Sequence, residues 1–105
     1  MTPYGTKWKK KREHILRRDK YRSQLSARYG RAIQADTVHH ILPVESFPEY
    51  RLTDWNLISL SSEEHNRMHD RTTHRLTAEG MALALRTARR QGLNLEEIKE
   101  RLNES

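Results

Sequence analysis

Residues 37–71 read TVHHILPVESFPEYRLTDWNLISLSSEEHNRMHDR, and the order of residue types in this stretch decides how the chain folds. Residues 37–42 form a short β-prone segment that Pro43 stops. The next stretch, 43–53, carries Pro43 and Pro48 and reads as a loop. Residues 55–60 bring Leu57, Ile58 and Leu60 together as a second short strand. Ser61 then opens a helix, because Ser61 and Glu64 have the spacing of a capping box, and helix-compatible residues continue to about Arg71. Strand, long loop, strand and helix therefore follow one another, and the two strands pair as an antiparallel hairpin.

The flanks add helices. Residues 6–18 carry Trp8, Ile15 and Leu16 at helical spacing, with Thr6 as the expected cap. A further turn or two covers 23–29 and ends at Gly30. Residues 77–91 form a helix stopped by Gly92, and Asn94 caps a last one carrying Leu95, Ile98 and Leu102. The class is α+β, with one domain across 1–105 and a C-terminal helical extension over 77–104.

Composition narrows the function. Of the 105 residues 34% are hydrophobic and 32% charged, so the core is small and a large enclosed pocket is not expected. The longest apolar run, Met81 to Leu85, is far short of the roughly 20 residues that span a bilayer. With no apolar signal segment, the expectation is a cytoplasmic protein without a membrane partner. Cysteine is absent, which excludes disulfides, thiolate catalysis and Cys-ligated metal sites.

Charge is concentrated at one end. Residues 1–22 hold nine Lys or Arg against two acidic residues, a net of +7 within a chain total of +6. A patch of this kind suits a polyanion, because neutralising phosphates releases condensed counterions; a solvated helix face is the alternative from charge alone. Trp8 and Trp55 read as core residues rather than base-stacking platforms.

The histidines carry the chemistry. His65 and His69, four apart on the expected helix, present both rings to one side, as two ligands of one metal require. His39 and His40 are adjacent on a strand and point to opposite sides, which lets one ring bind a metal and the other take a different role. Each pair alone also reads as surface polar residues. A metalloprotease is discounted, since the residue after His65 is Asn66 and not the required Glu.

Taken in order, His39-His40-Ile41, Asp54-Trp55-Asn56-Leu57 and His65-Asn66-Arg67-Met68-His69 resemble the full signature of the HNH endonucleases. Residues 38–70 resemble that family's ββα-metal unit; residues 8–22 resemble the basic lead-in of its small phage-type members, and residues 76–80 their downstream stretch. The resemblance implies that His39, His65 and His69 are metal ligands, that His40 is the general base, and that Asn56 holds loop and base in register through hydrogen bonds. It implies one divalent ion, Mg, Mn, Ni, Co or Zn, and imidazole nitrogen favours the later ions over magnesium. The substrate would be DNA, cut to a 3′-hydroxyl and a 5′-phosphate. The setting would be a phage or prophage, with the packaging terminase as a partner. Lys9, Lys10, Lys11, Arg12, Arg67 and Arg71, with Arg31, are candidate phosphate contacts. Glu45 either tunes His40 or is solvated, and His14 and His74 read as surface residues.

The resemblance has one departure. Many members carry two Cys pairs that bind a structural zinc, and the corresponding positions here are Ser23, Ser26, Ser61 and Glu64. No structural Cys-zinc site is expected, and packing alone, aided by the C-terminal helices, is expected to hold the fold. The other function class is a non-catalytic nucleic-acid-binding module that keeps this fold; a colicin-like toxin nuclease is weaker.

Overall fold

The sequence condenses around a hairpin, seen in a computed structural model that describes residues 5–104; residues 1–4 and 105 of the expected domain lie outside the described residues. Helix α1 spans Gly5–Arg18 and α2 spans Gln24–Ala27. Strands β1, Thr37–His40, and β2, Leu57–Leu60, pair antiparallel with Thr37 opposite Leu60 and His40 opposite Leu57. Helix α3 covers Ser62–Asn66, α4 covers Ala78–Arg90 and α5 covers Leu95–Glu104. Strand, strand and helix thus follow as residues 37–71 predict, in the ββα arrangement of the HNH unit.

Several boundaries move, each for a tertiary reason. The first helix begins at Gly5, so Thr6 lies inside its first turn and does not cap it. Strand β1 ends at His40, because Ile41 and Leu42 turn into the core and donate their N–H groups to the backbone and side chain of Asn56. Trp55 and Asn56 belong to a 3-10 turn, Asp54–Asn56, ahead of β2, and a second such turn, Pro48–Tyr50, breaks up the long loop. Helix α3 opens with the expected capping box but stops at Asn66, short of Arg71. Beyond it the Arg67 and Met68 carbonyls accept from the Thr77 hydroxyl and N–H, and Asp70 N–H donates to the Arg75 carbonyl. Backbone groups committed to residues 75–77 cannot also continue a helix.

Two apolar clusters flank the hairpin. Ile15 and Leu16 of α1 pack with Ala35, Val38 and Leu57, and the half-buried Trp8 lies against them. Ile41, Leu42, Phe47, Leu60 and Met68 pack with Leu83, Ala84 and Ala88 of α4 and Ile98 and Leu102 of α5. Trp55 is half-buried against this second cluster, 4.8 Å from the Tyr50 ring. Helix α4 approaches so closely that a Cβ on Gly80 would collide with the Met68 carbonyl oxygen. The C-terminal helices therefore form much of the core, and removal of residues 77–105 is expected to abolish cooperative unfolding as followed by circular dichroism.

Packing is not alone in holding the fold. Ser23, Ser26, Ser61 and Glu64, sequence-distant in two pairs, meet in a polar knot. Ser23 caps α2 by accepting the Ser26 N–H, and the Ser26 hydroxyl donates to Glu64 Oε2 at 2.6 Å. Glu64 Oε1 accepts the Ser61 N–H at 2.9 Å, and the Ser61 Oγ accepts the Glu64 N–H in return. Burial pushes the Glu64 pKa up, but bonds from Ser23, Ser26 and Ser61 outweigh it and bring the group down to about 2. The expectation of packing alone fails because a buried carboxylate among hydroxyls and amides ties α2 to α3 without a metal. A depressed carboxyl contributes its full stability above its ordinary pKa of 4.5 and loses it as the pH falls towards about 2. Glu64→Gln should therefore lower stability at neutral pH by about 1–3 kcal/mol, with the gap to wild type narrowing as urea titrations move below pH 4.5.

Candidate metal centre

Strand β1 delivers His39 and His40 to one end of the hairpin, while α3 supplies His65. His69 arrives by a route the sequence reading did not anticipate. Because α3 ends at Asn66, His65 and His69 do not share a helix; His69 sits in a tight turn that returns through an antiparallel bridge to Leu76. Asp70 builds this turn by accepting the Thr72 and Thr73 N–H groups on Oδ1, each at 2.8 Å. His74 adopts a left-handed φ of 63°, and its carbonyl lies 3.2 Å from His69 Nδ1. Since a carbonyl only accepts, Nδ1 carries the proton, and the lone pair of the neutral ring lies on Nε2.

His39, His65 and His69 form a nearly equilateral triangle, with ring centroids 5.3, 5.5 and 5.6 Å apart. One nitrogen from each lies within 4.8 Å of the others. His39 is fully buried, and among the described residues neither of its ring nitrogens has a hydrogen-bond partner. Leaving a buried polar atom unpaired costs about 1–3 kcal/mol, so the site fits a metal ion that takes up the one nitrogen lone pair of the neutral His39 ring. Burial, then the neighbouring His65, His69 and His40, pushes the His39 pKa down to about 3. Burial and His69 lower His65 as well. Neutral imidazoles are the form that ligates a divalent ion, and an all-nitrogen set suits transition ions better than magnesium.

His40 is differently placed. It is half-buried, stacked on Trp8 at 4.8 Å between ring centroids and 22° between planes. Its Nε2 donates to the Arg51 carbonyl at 3.1 Å, so the lone pair of the neutral ring is on Nδ1. Burial lowers its pKa, partly opposed by the bond to Arg51. The adjacent rings were expected on opposite sides of the strand, yet His39 and His40 both line one open cavity of about 450 Å³, together with His65, His69 and His74. The strand ends at His40, so strict alternation need not hold there. Glu45 is exposed on the same cavity.

Asn56 is buried between the strands' connection and the hairpin. Its Oδ1 accepts the Leu42 N–H at 2.7 Å, and its Nδ2 donates to the carbonyls of Leu42 and Tyr50 at 3.1 and 3.2 Å. The residue thus spans both ends of the loop that leads from His40 to Arg51.

Neither the family models nor the curated proteins include a match to this sequence. Among solved structures, the fold is similar to the crystal structure of the HNH endonuclease of the deep-sea thermophilic bacteriophage GVE2 with manganese ion. The TM-score is 0.59 at 31% identity, covering 61% of this chain and 70% of that one. This chain belongs to the HNH endonuclease family. Within this HNH fold the knot of Ser23, Ser26, Ser61 and Glu64 contains no cysteine, and the histidine triangle lies at the end of the ββα unit.

The basic candidates separate into two groups. Lys9, Lys10 and Arg71 are exposed, and the exposed Arg67 faces Glu79 at 3.4 Å. Lys11 instead pairs with Asp54 at 2.6 Å, and Arg12 donates to the Asp36 carbonyl at 2.6 Å. His14 is exposed, as expected, and also reaches Asp54. The residue the sequence reading underrates is His74, whose carbonyl orients His69; Asp70 followed by Thr72 and Thr73, a turn-forming set, is the signal that points to it. Asn56→Ala would leave the buried N–H and carbonyl of Leu42 unpaired and remove one of two bonds to the Tyr50 carbonyl, and should cost about 3 kcal/mol in chemical denaturation.

Proposed function

We propose that this HNH protein is a DNA endonuclease in which His39, His65 and His69 hold one divalent metal ion and His40 is the general base. The observation that carries the reading is an imidazole triangle, in which His39 is buried with both ring nitrogens unpaired among the described residues, beside a fourth imidazole whose lone pair is assigned to Nδ1 by its bond to Arg51. When bound, the ion supplies Lewis-acid stabilisation of charge on the phosphate and on the departing 3′ oxygen.

The chain's own residues do the rest. His40, neutral because burial lowers its pKa, takes a proton from water on Nδ1 as the water oxygen bonds to phosphorus. The bond from phosphorus to the 3′ oxygen breaks, and that oxygen takes a proton from solvent, leaving a 3′-hydroxyl and a 5′-phosphate. The Trp8 face and the Arg51 carbonyl fix the ring plane and the tautomer. Asn56 acts one step back, as a positioning residue that ties down the loop presenting Arg51. Lys9, Lys10, Arg67 and Arg71 offer exposed charge to the DNA backbone; Lys11 and Arg12 contribute to the same basic helix while braced by Asp54 and Asp36. The imidazole set, and the manganese of the similar phage enzyme, favour manganese or a later transition ion. That enzyme's bacteriophage source supports a phage or prophage setting; the partner proposed for that setting is the packaging terminase.

Supercoiled plasmid incubated with Mn, Ni, Co, Zn or Mg should be nicked in a metal-dependent manner. His40→Ala should slow nicking by about 10²–10⁴-fold while retaining metal binding by calorimetry, whereas His69→Ala should lose both. Because burial holds its pKa below that of a free imidazole, His40 should give a rate that climbs with pH in the acid range and is level at neutrality. A wild type that binds DNA but leaves plasmid supercoiled with every ion would point to a binding module instead.

A further inference from the structure

Outside the histidine cavity, two open cavities of about 530 and 480 Å³ adjoin along α2 and α4. They share Leu25, Arg28, Leu83 and Arg86, and neither shares a lining residue with the cavity of His39 and His40. Together they make one groove, with Arg31 toward one end and Arg90 toward the other.

The charges along it are unbalanced. Among the described residues, none of Arg28, Arg31, Arg86 and Arg90 takes part in an ion pair. The carboxylates that line the groove are engaged with other groups: Glu64 in the serine knot, and Glu79 and Asp19 with the lining residues Arg67 and Arg18, which leaves the four arginines unmatched. Arg86 is pushed below its ordinary pKa by burial and then by Arg28 and Arg90, a sign that these cations crowd one another. Between Arg28 and Arg31, Tyr29 is 79% exposed, the most exposed large hydrophobic side chain among the described residues.

Cations that repel one another are a cost to the folded chain that a polyanion relieves. All four are arginine, whose planar fork matches phosphate oxygens and whose face stacks on bases. An acidic protein segment would satisfy the guanidiniums but gives no role to the exposed ring of Tyr29, whereas a nucleic-acid base stacks on it.

We propose that this groove binds a nucleic-acid strand, with Arg28, Arg31, Arg86 and Arg90 on the phosphodiester backbone and Tyr29 as a stacking platform. The groove is then a second contact region for DNA, separate from the site of cleavage, and it rests on the nuclease reading only for the presence of DNA.

The test is fluorescence anisotropy of a labelled oligothymidylate of about 20 nucleotides, titrated with full-length protein in EDTA so that no cleavage occurs. Arg28→Ala/Arg86→Ala should weaken binding at least about tenfold at low salt and reduce the slope of log K against log salt by about 1.4, the share of two phosphates on a single strand. Tyr29→Ala should weaken it about fivefold or more with the slope unchanged. The melting temperature of the double variant should hold or rise, since repulsion is relieved. If that variant loses its cooperative melt, Arg31→Ala and Tyr29→Ala, at exposed positions, carry the test. Wild-type affinity and slope in the folded variants would overturn the proposal, as would equal displacement of the oligonucleotide by polyglutamate, which would assign the groove to acidic proteins. Plasmid nicking is read separately with metal present, so a failed groove leaves the nuclease reading standing, and failed nicking leaves this titration interpretable.

Discussion

The buried carboxamide of Asn56 is the constraint around which the site is arranged. A loop from Leu42 to Thr53 contains two prolines and is closed by local turn bonds among residues 43–53, which leaves it in need of a tie to the hairpin. Asn56 supplies it from the side, pairing with both backbone groups of Leu42 at the near end and with the Tyr50 carbonyl at the far end. No other side chain of that size offers a donor and an acceptor in one plane to do both. The consequence reaches His40, because the Arg51 carbonyl that selects its tautomer follows directly on Tyr50.

The same economy governs stability. A chain with 34% hydrophobic residues and no cysteine has few apolar groups to spare and no thiolates with which to bind a structural metal. Here α4 and α5 complete the second cluster, and Glu64 joins α2 to α3 through serine hydroxyls and backbone amides. Arg18 and Asp19 serve a parallel purpose at the other side of the hairpin: Asp19 accepts the Ser59 N–H, and Arg18 reaches the Leu57 carbonyl. Polar pairs with complete partners replace a metal staple, and each is oriented by secondary structure already formed.

Electrostatics divides the molecule into two regimes. Around His39, burial and the neighbouring imidazoles hold the His39 and His65 pKa values down, so these rings compete poorly for protons, the condition under which they ligate. On the outside, Lys9 and Lys10 of α1 are exposed, and Arg28, Arg31, Arg86 and Arg90 of the α2–α4 groove are without an ion pair among the described residues. A neutral ligand cluster beneath a cationic surface draws a polyanion in without repelling a divalent ion at the centre.

Local chemistry written into the sequence determined the hairpin, the capping box at Ser61, the helix stops at Gly30 and Gly92, and the identity of the four clustered histidines. These are legible because periodicity, capping and turn preferences act over a few residues. Tertiary structure alone decided that α3 ends at Asn66, that His69 is carried by the Asp70 turn and oriented by His74, and that Ser23 and Ser26 meet Glu64. It also decided which cations are braced, as Lys11 and Arg12 are, and which are exposed. The physical reason is the same in each case: backbone and side-chain polar groups take the partner that burial brings nearest, and residues far apart in sequence supply that partner.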